Sequence, residues 1–270
     1  MSRPETIQLE GHHRTKGNTV TRIALITGAN RSLGRSTALH LAGAGTDILL
    51  TYRSHEDEAT AVAAEIRALG RTAVTLPLDT GDIAAFPAFA GNVRDALRRH
   101  WGREDFDALV NNAGHGVHKA FAQTTEEEFD GLFAVHIKGV FFLTQTLLPL
   151  LADGGRILNV STGLTRFVAA ETSAYAAAKG AVEVLTRYLA KELGPRGIAV
   201  NALAPGATAT DFGGGAVRDG QEMRAALASV TAMGRVGEPE DIGAAAAALL
   251  ADGGGWITGQ RVEASGGMLL

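Results

Sequence analysis

From Arg22 onward the chain alternates short β-branched or leucine-rich runs with longer stretches whose apolar residues recur at helical spacing. A run that is apolar throughout suits a strand covered on both faces, and a period near 3.6 suits a helix packed along one side. The pattern predicts strands at Ile23–Thr27, Asp47–Tyr52, Ala73–Pro77, Ala108–Asn111, Arg156–Val160, Ala199–Ala202 and Gln260–Glu263. Between them it predicts helices at Gly34–Gly43, Glu56–Leu69, Ile83–His100, Glu126–Leu150, Ser173–Leu193, Gly220–Leu227 and Glu240–Leu250. Alternation of this kind is the mark of βαβ units and a parallel sheet. No Pro/Ser-rich linker, composition shift or repeat interrupts it, so the expected architecture is one α/β domain over residues 21–270 with a doubly wound parallel sheet. Ligands in such sheets bind beyond the carboxyl ends of the strands, where the strand order reverses.

Composition narrows the function classes. With 46% hydrophobic and 20% charged residues, the chain has ordinary globular make-up, and its 34 glycines suit tight turns and close backbone approach. The net charge of -4 comes from 25 basic and 29 acidic residues with no long block of either sign, which argues against a nucleic-acid partner. Cysteine is absent, which excludes disulfides, thiolate metal sites and a cysteine nucleophile and fits a reducing cytoplasm. The eight histidines show no metal-ligand spacing, so no metal is expected. Residues 1–20 are polar, lack the apolar stretch of a secretory leader, and read as a flexible extension. The most apolar stretch, Val140–Leu151, is broken by Thr144, Gln145, Thr146 and Pro149, so a soluble protein with no membrane partner is expected.

Candidate chemistry falls at the predicted strand ends. Gly28, Asn30, Arg31, Ser32, Leu33 and Gly34 lie between the first strand and first helix, where backbone N–H groups and a helix N-terminus can approach a pyrophosphate. An ordinary turn uses the same residues. The second strand ends in Tyr52 and Arg53 without the carboxylate that would bind an unphosphorylated ribose. A guanidinium pairs with a 2′-phosphate that a carboxylate would repel, so Arg53, with Arg31, favours NADP(H) over NAD(H) unless Arg53 is only a solvated charge. Asp79 and Thr80 after the third strand, and Asn112, Ala113 and Gly114 after the fourth, complete a cofactor-binding edge or cap the helices that follow.

Tyr175 and Lys179 are spaced i, i+4 at the start of a predicted helix and share one face. They follow a strand ending in Ser161-Thr162, two hydroxyls able to reach the same cleft. His115 and His118 follow directly on the fourth strand and are candidates for facing a substrate.

Taken in order, TGANRSLG at 27–34, LD at 78–79, NNAG at 111–114, the hydroxyls at 161–162, YAAAK at 175–179, NALAPGATAT at 201–210 and SGG at 265–267 resemble the short-chain dehydrogenase/reductase family over residues 21–270. The likeness is to its ketoreductases, among them 3-oxoacyl-[acyl-carrier-protein] reductases. It implies a Rossmann fold in which Tyr175 is the general acid or base, Lys179 tunes it and holds the nicotinamide ribose, and the cofactor carries the hydride. It also implies that Pro205, Gly206 and Thr208 or Thr210 lie beside the nicotinamide, that residues 211–235 form a lid over the substrate, and that the protein is a homotetramer or dimer. The apolar spacing of Leu143, Leu147 and Leu151 suits such an interface or a core face equally.

Three positions depart from the family pattern. Thr162 stands 13 residues before Tyr175, where serine is usual, with Ser161 as the alternative. His136 replaces an asparagine whose backbone carbonyl is thought to hold a relay water; a core histidine without a catalytic part is the other reading. Ser32 replaces a glycine and tolerates positive φ poorly. The expected activity is NADPH-dependent reduction of a ketone, either a 3-oxoacyl thioester or a smaller secondary-metabolite ketone. The alternatives are oxidation of a secondary alcohol or sugar and, from another class, a non-catalytic NADP-binding sensor.

Overall fold

A computed structural model describes residues 21–270; the extension expected over residues 1–20 lies outside the described residues. Among the described residues, seven parallel strands form one sheet: β1 (Ile23–Ile26), β2 (Asp47–Tyr52), β3 (Ala73–Pro77), β4 (Phe106–Asn111), β5 (Leu151–Val160), β6 (Ala199–Pro205) and β7 (Arg261–Ala264). Their order is β3-β2-β1-β4-β5-β6-β7, so the winding reverses between β1 and β4. Helices α1 (Ser32–Gly43), α2 (Glu56–Ala68) and α9 (Pro239–Leu250) line one face. The other face carries α3 (Phe86–Trp101), α4 (Glu126–Phe133), α5 (Val140–Leu147) and α6 (Ser173–Leu193).

Alternation within single strands divides the core in two. In β1, Ala24 and Ile26 join the cluster under α1 and α9, while Ile23 and Leu25 join the cluster under α3 and α5. All four are fully buried, which is why β1 reads as unbroken apolar sequence.

Most elements fall within a few residues of their predicted bounds, and the larger differences have local causes. β5 begins at Leu151 instead of Arg156, because the pairing with β4 is irregular near Phe106 and Asp153-Gly154-Gly155 hides the strand in polar and glycine sequence. The long helix predicted over 126–150 changes hydrogen-bond register midway, with a π-helical segment at Ala134–Gly139 between α4 and α5. Leu143, Leu147 and Leu151 face the core. The helix's exposed side instead carries Phe129, Phe141 and Phe142. Among the described residues, Glu126–Leu150 is long and apolar enough by length and composition to cross a membrane. Here it packs against α3 and α6 as one layer of the domain.

Candidate active site

The reversal point places the β1–α1 loop beside the end of β4. Thr27 Oγ1 accepts from the backbone N–H groups of Asn112 and Ala113 (2.9 and 3.0 Å), and Asn112 Nδ2 donates to the Thr27 and Gly28 carbonyls (2.9 and 3.0 Å). Asn112 therefore shapes the loop from behind. A Cβ on Gly34 would stand 2.3 Å from the Gly28 carbonyl oxygen, so only glycine lets α1 approach the loop this closely. The N-terminus of α1 has no side-chain cap and no acidic residue in its first turn, leaving donors and a positive dipole end toward the cleft.

Ser32 takes φ +49°, the left-handed region that glycine would occupy without strain. Its hydroxyl donates to Asp211 Oδ2 at 3.2 Å. Asn30 Nδ2 donates to Glu58 on α2 (2.6 Å), and Asp79 accepts from the Gly81 N–H (2.8 Å), so both side chains brace their own loops. Leu33 packs against the core, Tyr52 and Thr80 are buried, and Arg31 and Arg53 are exposed. Partial desolvation holds the His115 imidazole below its ordinary value, followed by the Arg53 cation, with Asp79 opposing and Lys179 adding to the effect. Arg53, Asp79 and Lys179 thus all lie near enough to His115 to act on it.

Tyr175, Lys179 and the end of β5 meet under this cleft. The Thr162 side chain faces the Tyr175 phenol closely enough to lower its pKa, while its hydroxyl accepts from the Leu164 N–H at 3.3 Å. The Ser161 hydroxyl instead donates to Glu183 Oε1 at 2.6 Å, so the structure brings Thr162 to the tyrosine and turns Ser161 away. Burial raises the Tyr175 phenol above its ordinary value, against the lowering effect of Thr162. Lys179 donates to the Val160 carbonyl at 2.6 Å, and burial pushes its ammonium down to about 7. This arrangement keeps a proton on the phenol at neutral pH beside a cation that can readily lose one.

The π-helical segment accounts for His136. An inserted residue per turn swings its side chain inward, where it is buried with its ring 5.2 Å from that of Tyr175, edge to face. Nε2 lies 2.6 Å from the His115 carbonyl oxygen and so carries the proton, leaving Nδ1 as a buried acceptor with no partner among the described residues. Burial, and then the Lys179 cation, lowers its pKa to about 2, so the ring is neutral. Gly114 makes room for it: a Cβ there would stand 2.5 Å from His136 Cε1.

Pro205 ends β6 and Gly206 follows it, with the Thr208 hydroxyl donating to the Gly206 carbonyl (3.1 Å) and Thr210 accepting from the Phe212 N–H (3.2 Å). The segment expected as a lid contains three consecutive positive-φ glycines, Gly213 to Gly215, then α7 (Ala216–Asp219) and α8 (Gln221–Ser229). Phe212 stands over Tyr175 with ring centroids 5.4 Å apart, and His118 lies beside Gly213. Sequence reading missed Phe212; its signal was the single aromatic between Thr210 and the glycine run.

Residues 28–269 match the family described as "Enoyl-(Acyl carrier protein) reductase". The chain is 33% identical to tetrahydroxynaphthalene reductase PfmaG of Pestalotiopsis fici over 91% of each protein, and 32% identical to short-chain dehydrogenase/reductase GME11373 of Pestalotiopsis microspora over 91% of this chain and 94% of that one. Among solved structures, the angucycline C-6 ketoreductase LanV with bound NADP superposes with a TM-score of 0.87 at 37% identity, covering 93% of this chain and 96% of that one. These matches run through the whole described domain, from the β1–α1 loop to the C-terminal turn, and place the chain in the short-chain dehydrogenase/reductase family of oxidoreductases.

Proposed function

We propose that this enzyme reduces a ketone to a secondary alcohol with NADPH, and that its substrate is a planar aromatic ketone of secondary metabolism. The observation that carries the reading is the buried Tyr175 phenol, facing Thr162 and one helical turn from Lys179. The Gly28–Gly34 cradle and the uncapped α1 N-terminus fit a dinucleotide pyrophosphate, and exposed Arg53 fits the 2′-phosphate that distinguishes NADPH. Bound NADPH supplies hydride to the carbonyl carbon. Tyr175 donates its proton to the carbonyl oxygen, and the Thr162 hydroxyl donates a second hydrogen bond to the same oxygen. Lys179 stabilises the phenolate that forms, and its ammonium, at about 7, restores the proton.

The Phe212 ring stands beside that of Tyr175, tilted with centroids 5.4 Å apart, an aromatic surface that favours a planar ring over a flexible acyl thioester. The relatives that reduce naphthalene and angucycline skeletons point the same way. The 211–235 segment serves as the lid, with Phe212 its contact to the substrate. The exposed Phe129, Phe141 and Phe142 fit a homo-oligomer, and the absence of cysteine fits the cytoplasm.

Loss of NADPH absorbance with β-tetralone and with an acetoacetyl thioester, repeated with NADH, tests the reading. Faster turnover of β-tetralone with NADPH is expected, with a loss of at least about 100-fold in Tyr175→Phe. Equal rates for Tyr175→Phe and wild type, or no turnover of either ketone, would overturn it.

A further inference from the structure

We propose that Glu183 is a positioning residue of this active site: one of its carboxylate oxygens holds the turn that presents Thr162 to Tyr175. The role rests on the reading of Thr162 and Tyr175 given above. Along α6, Tyr175, Lys179 and Glu183 are spaced i, i+4, i+8 and form one stripe, and each grips the end of β5. Tyr175 faces the Thr162 side chain, Lys179 donates to the Val160 carbonyl, and Glu183 accepts from the Ser161 hydroxyl between them.

Glu183 Oε1 accepts three hydrogen bonds: from Ser161 Oγ at 2.6 Å, from Thr165 Oγ1 at 2.7 Å and from Arg261 Nε at 2.8 Å. Both ends of the 161–165 turn are thus tied to a single atom on the helix that carries the tyrosine. Arg261, from β7, closes the ring by donating to the Thr162 carbonyl at 3.2 Å. The Glu183 side chain is only 12% exposed, so these charge-assisted bonds are sheltered from competing water.

Thr162 is the residue this scaffold has most reason to hold. Its backbone is extended, at φ -158° and ψ 153°, and its χ1 is stiff because it is β-branched, so the direction of its hydroxyl follows the backbone. A shift of the turn moves that hydroxyl off the tyrosine and off any carbonyl oxygen bound there. Behind Arg261 the brace continues through Glu263, which accepts from Arg261 at 2.8 Å and from Arg166 at 2.6 and 2.7 Å. Arg166 in turn holds the Met268 and Leu269 carbonyls, so the C-terminal residues buttress the same turn.

The test is a double-mutant cycle with steady-state β-tetralone reduction, NADPH affinity by fluorescence titration, and thermal unfolding. Glu183→Ala is expected to lower kcat by about 10- to 100-fold while NADPH affinity stays within about twofold. Glu183→Gln, which keeps an acceptor for Ser161 and Thr165, restores most of that loss. In a Thr162→Val background Glu183→Ala costs less than about threefold, because the group it positions is already gone. An unchanged kcat in Glu183→Ala, or a loss as large in the Thr162→Val background as in wild type, overturns the role. If Glu183→Ala does not fold, the Ser161→Ala/Thr165→Val pair removes the same holds with the Glu183–Arg261 pair intact, and an unchanged kcat there overturns it equally. Tyr175→Phe separates the two failures. If it abolishes turnover while Glu183→Ala does not, the positioning role alone falls; if it keeps turnover, the underlying reading falls and this role with it.

Discussion

Replacing Lys179 by methionine changes how stability depends on pH, by an amount the burial of the lysine sets. Lys179 is 4% exposed, and its ammonium is pushed down to about 7 from an ordinary 10.5. The unfolded chain keeps this proton throughout that interval whereas the native protein releases it near the lower end, so stability rises with pH between them. Each pH unit is worth up to about 1.4 kcal/mol, or about 2–3 kcal/mol between about pH 7 and about pH 9. For a domain of this size that corresponds to roughly 5–10 °C in Tm. Lys179→Met removes the titration and leaves the helix and its packing in place. His115 and His136, both held below their ordinary value of 6.5 by burial, titrate beneath the window, and the Tyr175 phenol is raised above it. Circular-dichroism melts of both proteins across the range are therefore expected to show wild type gaining on the variant as pH rises from about 7 to about 9. A gap that stays constant from about pH 6 to about pH 9 would refute the assignment of a desolvated lysine.

Other consequences are open to simple assays. Gly114→Ala places a methyl group 2.5 Å from His136 Cε1 and is expected to destabilise the protein by about 1–3 kcal/mol, with partial recovery in Gly114→Ala/His136→Asn; a melt matching wild type would contradict the packing. Ser32→Gly relieves a left-handed backbone at φ +49° and loses only an exposed hydrogen bond to Asp211, so Tm should rise by a few degrees, about 1 kcal/mol; a fall in Tm would show that the serine is not strained. Arg53→Leu is expected to weaken NADPH binding by about 10- to 100-fold and leave NADH within about twofold, read by fluorescence titration; equal loss for both nucleotides would place Arg53 away from the 2′-phosphate.

Much of the fold was legible before any coordinates. The parallel α/β pattern follows from strands buried on both faces, which read as apolar runs, and from helices buried on one, which read at their own period. Helix α6 was predicted at its observed bounds, Ser173–Leu193. The i, i+4 spacing of Tyr175 and Lys179 placed both on one face, and the strand-end position of every glycine-rich or polar motif located the cleft. These are properties of neighbours in sequence, so the chain itself determines them.

What remained was decided by contacts between residues far apart. Ser161 and Thr162 are equally plausible as adjacent hydroxyls, and only Glu183, on the next helix, takes one of them and leaves the other facing Tyr175. Leu143, Leu147 and Leu151 suit a core or an interface until the packing of α3 and α6 buries them. The π-helical turn that carries His136 inward has no periodic signal, because one inserted residue shifts a register that local pattern cannot count. Periodicity specifies which face of an element is apolar. Which polar group on that face meets which partner depends on three-dimensional closure, and in this protein that closure sets the chemistry around Tyr175.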